Sequence, residues 1–296
     1  MYVKSKSRTG FILLCILPTL LIFSIFIVYP VTQVFYKSMF SSSGFGGGNE
    51  TFIGFGNFLE LFKDAIFLKA LKNTGFLMLV VPTITLFLSL VFASILSFGN
   101  LKEKHLYRTI FFFPSILSFV VIGILWSFIY HPNMGIINEV LNWMGLDQYA
   151  LIWLGSKDTV LWAIALVMVW QAVGYYMVMY LAGMDGIPKE LYEAASIDGA
   201  NVIQQFFKIT IPMLWEIIRI TIIFSINGVL NISFVLVIVM TSGGPNNSSQ
   251  VALTYMYKQA FVNANFGYAM AIAVIVFIVS LLLSLISNRL TERETY

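Results

Sequence analysis

Six runs of apolar side chains leave this chain few places to fold other than a lipid bilayer, because each matches or exceeds the about 20 residues that cross roughly 30 Å of hydrocarbon. They extend from Phe11 to Tyr36, Asn73 to Phe98, Thr109 to Tyr130, Val160 to Ala182, Ile217 to Met240 and Tyr268 to Ser287. Hydrophobic residues make up 59% of the sequence and charged residues 10%, whereas soluble domains carry roughly 45–50% and about 25%. Backbone polar groups in lipid must be satisfied within the segment, which a helix does. The predicted fold class is therefore all-α: a polytopic membrane protein with six transmembrane helices. No internal repeat stands out, and residues 1–296 read as a single domain. Lys4, Lys6 and Arg8 precede the first run as they would a secretion signal, but that run is too long and no small-x-small cleavage site follows it.

Lysine and arginine between the runs set the orientation. Lys4, Lys6, Arg8, Lys102, Lys104, Arg108, Lys189, Lys208, Arg219, Arg289 and Arg293 fall on one side. The other side carries Lys37, Lys63, Lys69, Lys72, Lys157 and Lys258, diluted by Glu50, Glu60, Asp64, Glu139, Asp147 and Asp158. Both termini are expected in the cytoplasm. On the outer side, Ser41 to Asn49 is Ser- and Gly-rich and reads as flexible. Phe52 to Phe67 reads as a short amphipathic helix at the interface. Asn133 to Leu154 carries Ile136, Ile137, Val140, Leu141 and Met144 on one side and is expected to pack over the outer mouth.

Several chemistries lack their residues. The sequence has no phosphate-cradling Gly-x-x-x-x-Gly-Lys-Ser/Thr run, so any ATP must be hydrolysed on another polypeptide. No Ser-His-Asp or Cys-His arrangement is present. His105 and His131 lie on opposite sides of the third run, which rules out a histidine metal cluster, and Cys15 stands alone. The basic residues are scattered and explained by topology, so nucleic acid is not expected as a partner. This chain is expected to bind no cofactor and no metal and to perform no catalysis itself.

One water-facing segment, Ile187 to Glu216, interrupts the apolar second half. Pro188 suits a first helical turn, Lys189 to Ile197 contains good helix formers, and Gly199 breaks the run. Asp198 is positioned to cap a second helix from Ala200 to Ile211, which Pro212 would disturb near its end. A bent hairpin follows, with Leu191, Ala194 and Ala195 on one arm and Ile203, Phe206 and Phe207 on the other as apolar ridges.

Polar groups inside a span are costly in lipid and turn toward protein or water. The fourth run carries Trp170, Gln171, Gly174, Tyr175 and Tyr176; the fifth carries Ser225, Asn227, Gly228, Asn231 and Ser233. Gln171 and Tyr175 are four apart, as are Asn227 and Asn231, so each pair shares a face. Two such faces can line one cavity whose amide, hydroxyl and aromatic groups suit a sugar, or they can bond helix to helix. The candidate pathway residues are Trp170, Gln171, Tyr175, Ser225, Asn227 and Asn231. Pro82 and Pro114 are expected to kink their helices.

The hairpin resembles the EAA loop of ABC importer permeases. Glu193, Ala194, Ala195, Asp198, Gly199, Ala200, Phe206, Ile209 and Pro212 stand where that pattern has them, while Glu216 replaces a second proline common in sugar permeases. Thr51 to Phe62, and the Gly-Gly-Pro run ending at Pro245 with the segment Leu253 to Phe261, resemble the corresponding parts of the first of the two permeases in a sugar importer. The resemblance implies a type I importer permease of the maltose and glycerol-phosphate type, with a coupling loop at about 187–213 that docks on a cytoplasmic ATPase through Glu193, Ala194, Ala195, Asp198, Gly199, Ala200 and Phe206. Maltose-type permeases place substrate contacts on the two spans flanking this loop, and Tyr175 falls on a matching position. The implied partners are a second homologous permease, two ATPase subunits that hold ATP and Mg, an extracytoplasmic binding protein, a carbohydrate and the bilayer of a bacterial cell membrane. Glycerol phosphate would need cationic groups facing the pathway. An ion-coupled secondary transporter would need a carboxylate deep in a span. The fourth run has no cation and the fifth none beyond Arg219 at its entry, and no Asp or Glu lies deep inside any of the six.

Overall fold

The computed structural model describes residues 6–42, 50–99 and 102–292. Lys4, Arg293 and most of the stretch read as flexible, 43–49, lie outside the described residues. In chain order, α1 (Lys6–Phe23) continues through a π turn into α2 (Tyr29–Lys37), and a two-strand ladder of β1 (Phe40–Ser41) and β2 (Thr51–Phe52) precedes α3 (Gly56–Leu61). The next four helices are α4 (Ala65–Phe98), α5 (Lys104–Phe112), α6 (Phe119–Ile129) and α7 (Ile136–Trp143). After α8 (Val160–Asp185), the short helices α9 (Lys189–Ile197), α10 (Val202–Gln205) and α11 (Ile211–Met213) lead into α12 (Trp215–Met240). The chain ends with α13 (Ala252–Tyr257) and α14 (Phe266–Thr291).

Among the described residues, five helices are long and apolar enough to cross a membrane: Leu14–Lys37, α4, α8, α12 and α14. The third expected span differs. It is a pair, Lys104–Ile116 and Phe119–Ile129, bent by 101°. Pro114 lies in a 3-10 turn and cannot donate a backbone hydrogen bond, and Leu117 and Ser118 are then extended, with ψ of 148° and 135°, before α6 restarts. Pro82, by contrast, sits inside the continuous helix α4.

Contacts divide the chain into two compact units. The smaller contains residues 1–64 and 256–277. In it, β1 and β2 pair antiparallel, Phe40 opposite Phe52. Buried Asn57 ties α3 to this ladder by donating to the carbonyls of Ser38 (2.8 Å) and Phe40 (3.0 Å). The Tyr268 hydroxyl donates to Asp64 at 2.7 Å.

The larger unit, residues 65–255 and 278–296, is built around α8. That helix is apolar all round, which marks the centre of a bundle, and its spanning window is 72% buried. Leu77, Met78, Val81, Ile122, Ile164, Met168, Val229 and Leu236 form the core with it. Ser89 on α4 donates to the Val173 carbonyl at 2.8 Å. Gly174 lets α5 approach: a Cβ there would sit 1.8 Å from the Phe111 carbonyl oxygen. The loop after α12 is bolted to α4, since Asn73 donates to the Ser248 (2.8 Å) and Gln250 (2.9 Å) carbonyls and Thr74 accepts from the Ala252 amide (2.9 Å). In the segment expected to cover the outer mouth, only Ile137 and Leu141 of the predicted ridge turn inward; Ile136, Val140 and Met144 are exposed.

Gly174→Ala should lower the thermal midpoint of the purified chain, by the about 1–3 kcal/mol typical of overpacking. Gly228→Ala, with open space at its Cβ position, should leave it unchanged or raise it.

Candidate functional site

The segment between α8 and α12 is a braced hairpin. Pro188 is the N-cap of α9, extended at φ −57° and ψ 130°. The helix ends where Gly199 adopts φ +80°, a left-handed conformation that costs glycine nothing. The Ala200 amide donates to the Ala195 carbonyl (2.9 Å) and the Gly199 amide to the Ser196 carbonyl (3.1 Å), the paired closure of a glycine-terminated helix. Asp198 therefore ends the first helix instead of capping the second. Asn201 caps α10: its side chain accepts from the Gln204 amide, and the Gln204 side chain accepts from the Asn201 amide, both at 2.9 Å. The Asn-x-x-Gln spacing carries this capping box in the sequence itself. Two capping side chains, the Asp198 carboxylate and the Asn201 carboxamide, stand three residues apart, and the glycine turn decides between them.

Gln205 joins the two arms. Its buried amide donates to the Ser196 hydroxyl at 2.9 Å and to the Ala200 carbonyl at 3.2 Å. Tyr192 of α9 pairs its hydroxyl with Thr210 at 2.9 Å and sets its ring edge-on to Phe98 of α4, 5.5 Å away. The second arm is not one helix. A π turn over Phe206–Thr210 precedes Pro212, and one turn residue, Leu214 (φ −87°, ψ 0°), separates α11 from α12, which starts at Trp215. Glu216, in the position of the missing second proline, lies in the first turn of α12, 3.8 Å from Arg219. Arg219 also donates through Nε (3.0 Å) and Nη2 (2.7 Å) to Asn288, and Trp215 donates to the Thr291 carbonyl at 2.7 Å. The hairpin is thus linked to α4, α12 and the end of α14 within one unit.

Its outer surface is unspent. Glu193, Ala194, Asp198 and Gly199 are exposed and Ala195 and Ala200 half-buried. Phe206 packs toward the core, so the exposed member of the phenylalanine pair is Phe207. Ile197, read from the sequence only as the end of the first helix and not as a ridge residue, is 87% exposed at the turn, and Val202 and Ile203 beyond the turn are exposed too. A concavity of about 370 Å³ lined by Asp198, Gly199, Gln204, Gln205 and Lys208 lies next to them. Apolar knobs flanked by carboxylates and a polar hollow form a surface that gains by being covered.

The predicted pathway residues separate. Gln171 is 5% exposed and its Oε1 has no partner, whereas Tyr175, one turn along, is exposed. Asn227 is committed between helices: it donates to Ser284 (3.1 Å) and to the Ile223 carbonyl (2.9 Å) and accepts from Ser280 (2.7 Å). Ser225 is buried and Asn231 is exposed. Trp170 stacks edge-on to Trp126 at 5.4 Å and lines an apolar concavity of about 620 Å³ with Phe92, Phe111, Pro114 and Trp162; the other five candidates do not touch it. The structure therefore does not gather the six residues into one cavity within this chain. Among the described residues, no three His, Cys, Asp or Glu side chains come together as a metal site.

Residues 53–295 match the family described as binding-protein-dependent transport system inner membrane component. The chain is 38% identical over 270 residues to a probable ABC transporter permease protein, YurN, of Bacillus subtilis, covering 91% of this chain and 92% of that protein. It is 36% identical over 296 residues to the diacetylchitobiose uptake system permease protein NgcF of Streptomyces coelicolor, covering 96% and 84%. Its fold is similar to a chain of a bacterial ABC transporter involved in the import of the acidic polysaccharide alginate, with a TM-score of 0.84, 25% identity and 98% of both chains covered.

Asn201→Ala should remove one cap, worth about 1 kcal/mol or roughly a fivefold change in an opening equilibrium. Amide exchange should accelerate by that factor across Val202–Gln205 and stay unchanged across Lys189–Ile197.

Proposed function

Because the chain belongs to the family of binding-protein-dependent transport system inner membrane components, we propose that it is the permease subunit of an ATP-driven importer for a sugar or oligosaccharide. The observation that carries this reading is the braced hairpin, with Ile197 exposed at a glycine-closed turn and both arms tied to spans. Its partners are two ATPase subunits at the hairpin, a second similar permease, and an extracytoplasmic binding protein that delivers substrate at the opposite ends of the spans. The hairpin and both termini then face the cytoplasm, in keeping with the excess of lysine and arginine on that side. The apolar window of the first span is 0% buried within this chain, which leaves it free for lipid and a second subunit.

In this mechanism the ATPase pair closes on ATP and moves the α9–α10 block as one body, since Gln205 and Tyr192 resist its bending. The interruption of the helix at Leu214 is the joint through which that motion changes the tilt of α12 against α8. The pathway opens outward, and hydrolysis reverses it. Coupling requires the hairpin to bind two ATPase states unequally, because equal binding shifts no equilibrium.

A carbohydrate is supported by what the relatives handle, diacetylchitobiose and alginate, and by the side chains left open. The Tyr175 hydroxyl and Asn231 amide have no hydrogen bond among the described residues. They can meet substrate hydroxyls once a second permease completes the wall, whereas Asn227 is already spent. Arg219, the cation in α12, is engaged by Asn288 and Glu216 and does not offer a phosphate site.

In the reconstituted complex, Gly199→Pro, or Glu193→Lys with Asp198→Lys, should abolish ATP turnover stimulated by loaded binding protein while membrane insertion is retained. Normal uptake would defeat the coupling assignment. Tyr175→Phe and Asn231→Ala should each raise the transport KM about five- to tenfold, the effect of one lost hydrogen bond, without altering basal ATP turnover.

A further inference from the structure

The most exposed large apolar side chain among the described residues is not on the hairpin. Trp143, 88% exposed, lies at the end of α7, beyond the Val160 end of α8 and so a full span away from the hairpin. Successive residues of a helix are about 100° apart, and around α7 they fall into three sectors. Ile137, Asn138 and Leu141 turn inward. Glu139 and Asn142 form an exposed polar sector. Ile136, Val140, Trp143 and Met144 form an exposed apolar one, extended by Met134 before the helix and Ile152 after it.

The orientation of α7 is set by its inward sector. Buried Asn138 donates to the carbonyls of Pro132 and Leu151, both at 3.0 Å, and accepts from Trp153 Nε1 at 2.8 Å. The Trp153 carbonyl accepts from Thr159 at 2.8 Å, and its ring lies 6.1 Å from that of Tyr130, whose hydroxyl donates to the Ala163 carbonyl at 3.1 Å. This network fixes α7 to the adjoining ends of α6 and α8 and holds the apolar sector outward. Apolar area left in water costs free energy in proportion to its extent, so this sector gains by being covered from outside the chain.

From these sectors we infer that α7 is an in-plane membrane anchor, seated in the bilayer interface with its apolar sector in lipid and Glu139 and Asn142 in water. Two features select lipid over a protein partner. The sector follows an exposed apolar surface on α6, part of the broken third span: Val121, Ile124, Leu125 and Phe128 are exposed, and only the turn Tyr130–Gly135 separates them in the chain from α7. Polar and apolar sectors are also exposed side by side, as for a helix lying at a water–hydrocarbon boundary, and Trp143 and Tyr149 are the residue types that settle at headgroup depth. The α7 helix carries no lysine or arginine, so the attraction is apolar and independent of headgroup charge. The inference needs only that the spans cross a bilayer and does not rest on the importer reading.

The test uses the full chain with Cys15→Ser, reconstituted in phosphatidylcholine nanodiscs, with single cysteines at Trp143→Cys, Met144→Cys and Glu139→Cys labelled with an environment-sensitive fluorophore. Lipids doxyl-labelled near the headgroup should quench the labels at 143 and 144 at least about twofold more than lipids labelled at the chain end, as expected for burial of about 5–10 Å. The label at 139 should stay unquenched, and replacing a third of the lipid by phosphatidylglycerol should change nothing. Met144→Cys gives the same reading if Trp143→Cys does not fold. Unquenched labels at 143 and 144, or labels shielded only when a second permease or a binding protein is added, would overturn the anchor.

Discussion

One buried carboxamide sets the mechanical character of the hairpin. Gln205 reaches across the turn made by Gly199 and satisfies the Ser196 hydroxyl of the opposite arm and the Ala200 carbonyl within the turn. Without it, α10, four residues long, and the glycine turn would form a compliant loop, because so short a helix has little stability of its own. With it, the arms behave as a wedge whose tip, Ile197, lies where two backbone closures meet. The wedge is fastened on several sides: Tyr192 to Thr210 and Phe98, Trp215 to the Thr291 carbonyl, and Arg219 to Asn288. A push on such a body reaches several spans at once.

The bundle to which the hairpin is fastened combines a dense centre with interrupted helices. Around α8 the packing is close enough that Gly174 admits a neighbouring backbone where no Cβ would fit. The helical axis turns by 101° at Leu117–Ser118, and Leu214 interrupts the helix without losing its αR backbone, each close after a proline that removes a backbone donor. Rigid helices joined at a few such points move by reorientation rather than by deformation, because packed interiors do not stretch. The bolted loop from Thr241 to Gln250, held on α4 by Asn73, keeps the far end of α12 in register, and Trp215 and Arg219 tie its near end to the end of α14.

Much of this was legible in the residues, and the misses have physical causes. Apolar run length locates spans because lipid thickness is a hard constraint, and five spans follow it. The third run has the same composition but contains Pro114; the proline marks a break, whereas the 101° angle depends on Leu117 and Ser118 turning extended, which no periodicity encodes. In the hairpin, Asp198 and Asn201 are both good caps, and the winner is decided by the left-handed Gly199 between them. The Asn201–Gln204 spacing was the readable signal. Residue type announced polar groups inside spans but not their use: Asn227 is consumed by Ser280 and Ser284, more than fifty residues downstream, while Asn231, four residues on, is left open. Ile197 reads as one more aliphatic residue until the turn fixes which way it faces.

The central claim is that this wedge carries work from a nucleotide-hydrolysing neighbour, and crosslinking from its tip tests it most directly. A benzophenone-maleimide placed at Ile197→Cys in a Cys15→Ser background, in membranes containing the assembled transporter, should capture an ATPase subunit on illumination, with a yield that differs between ATP-bound and nucleotide-free states. Capture of lipid alone or of an extracytoplasmic protein, or modification of the cysteine from the outer aqueous phase, would contradict it.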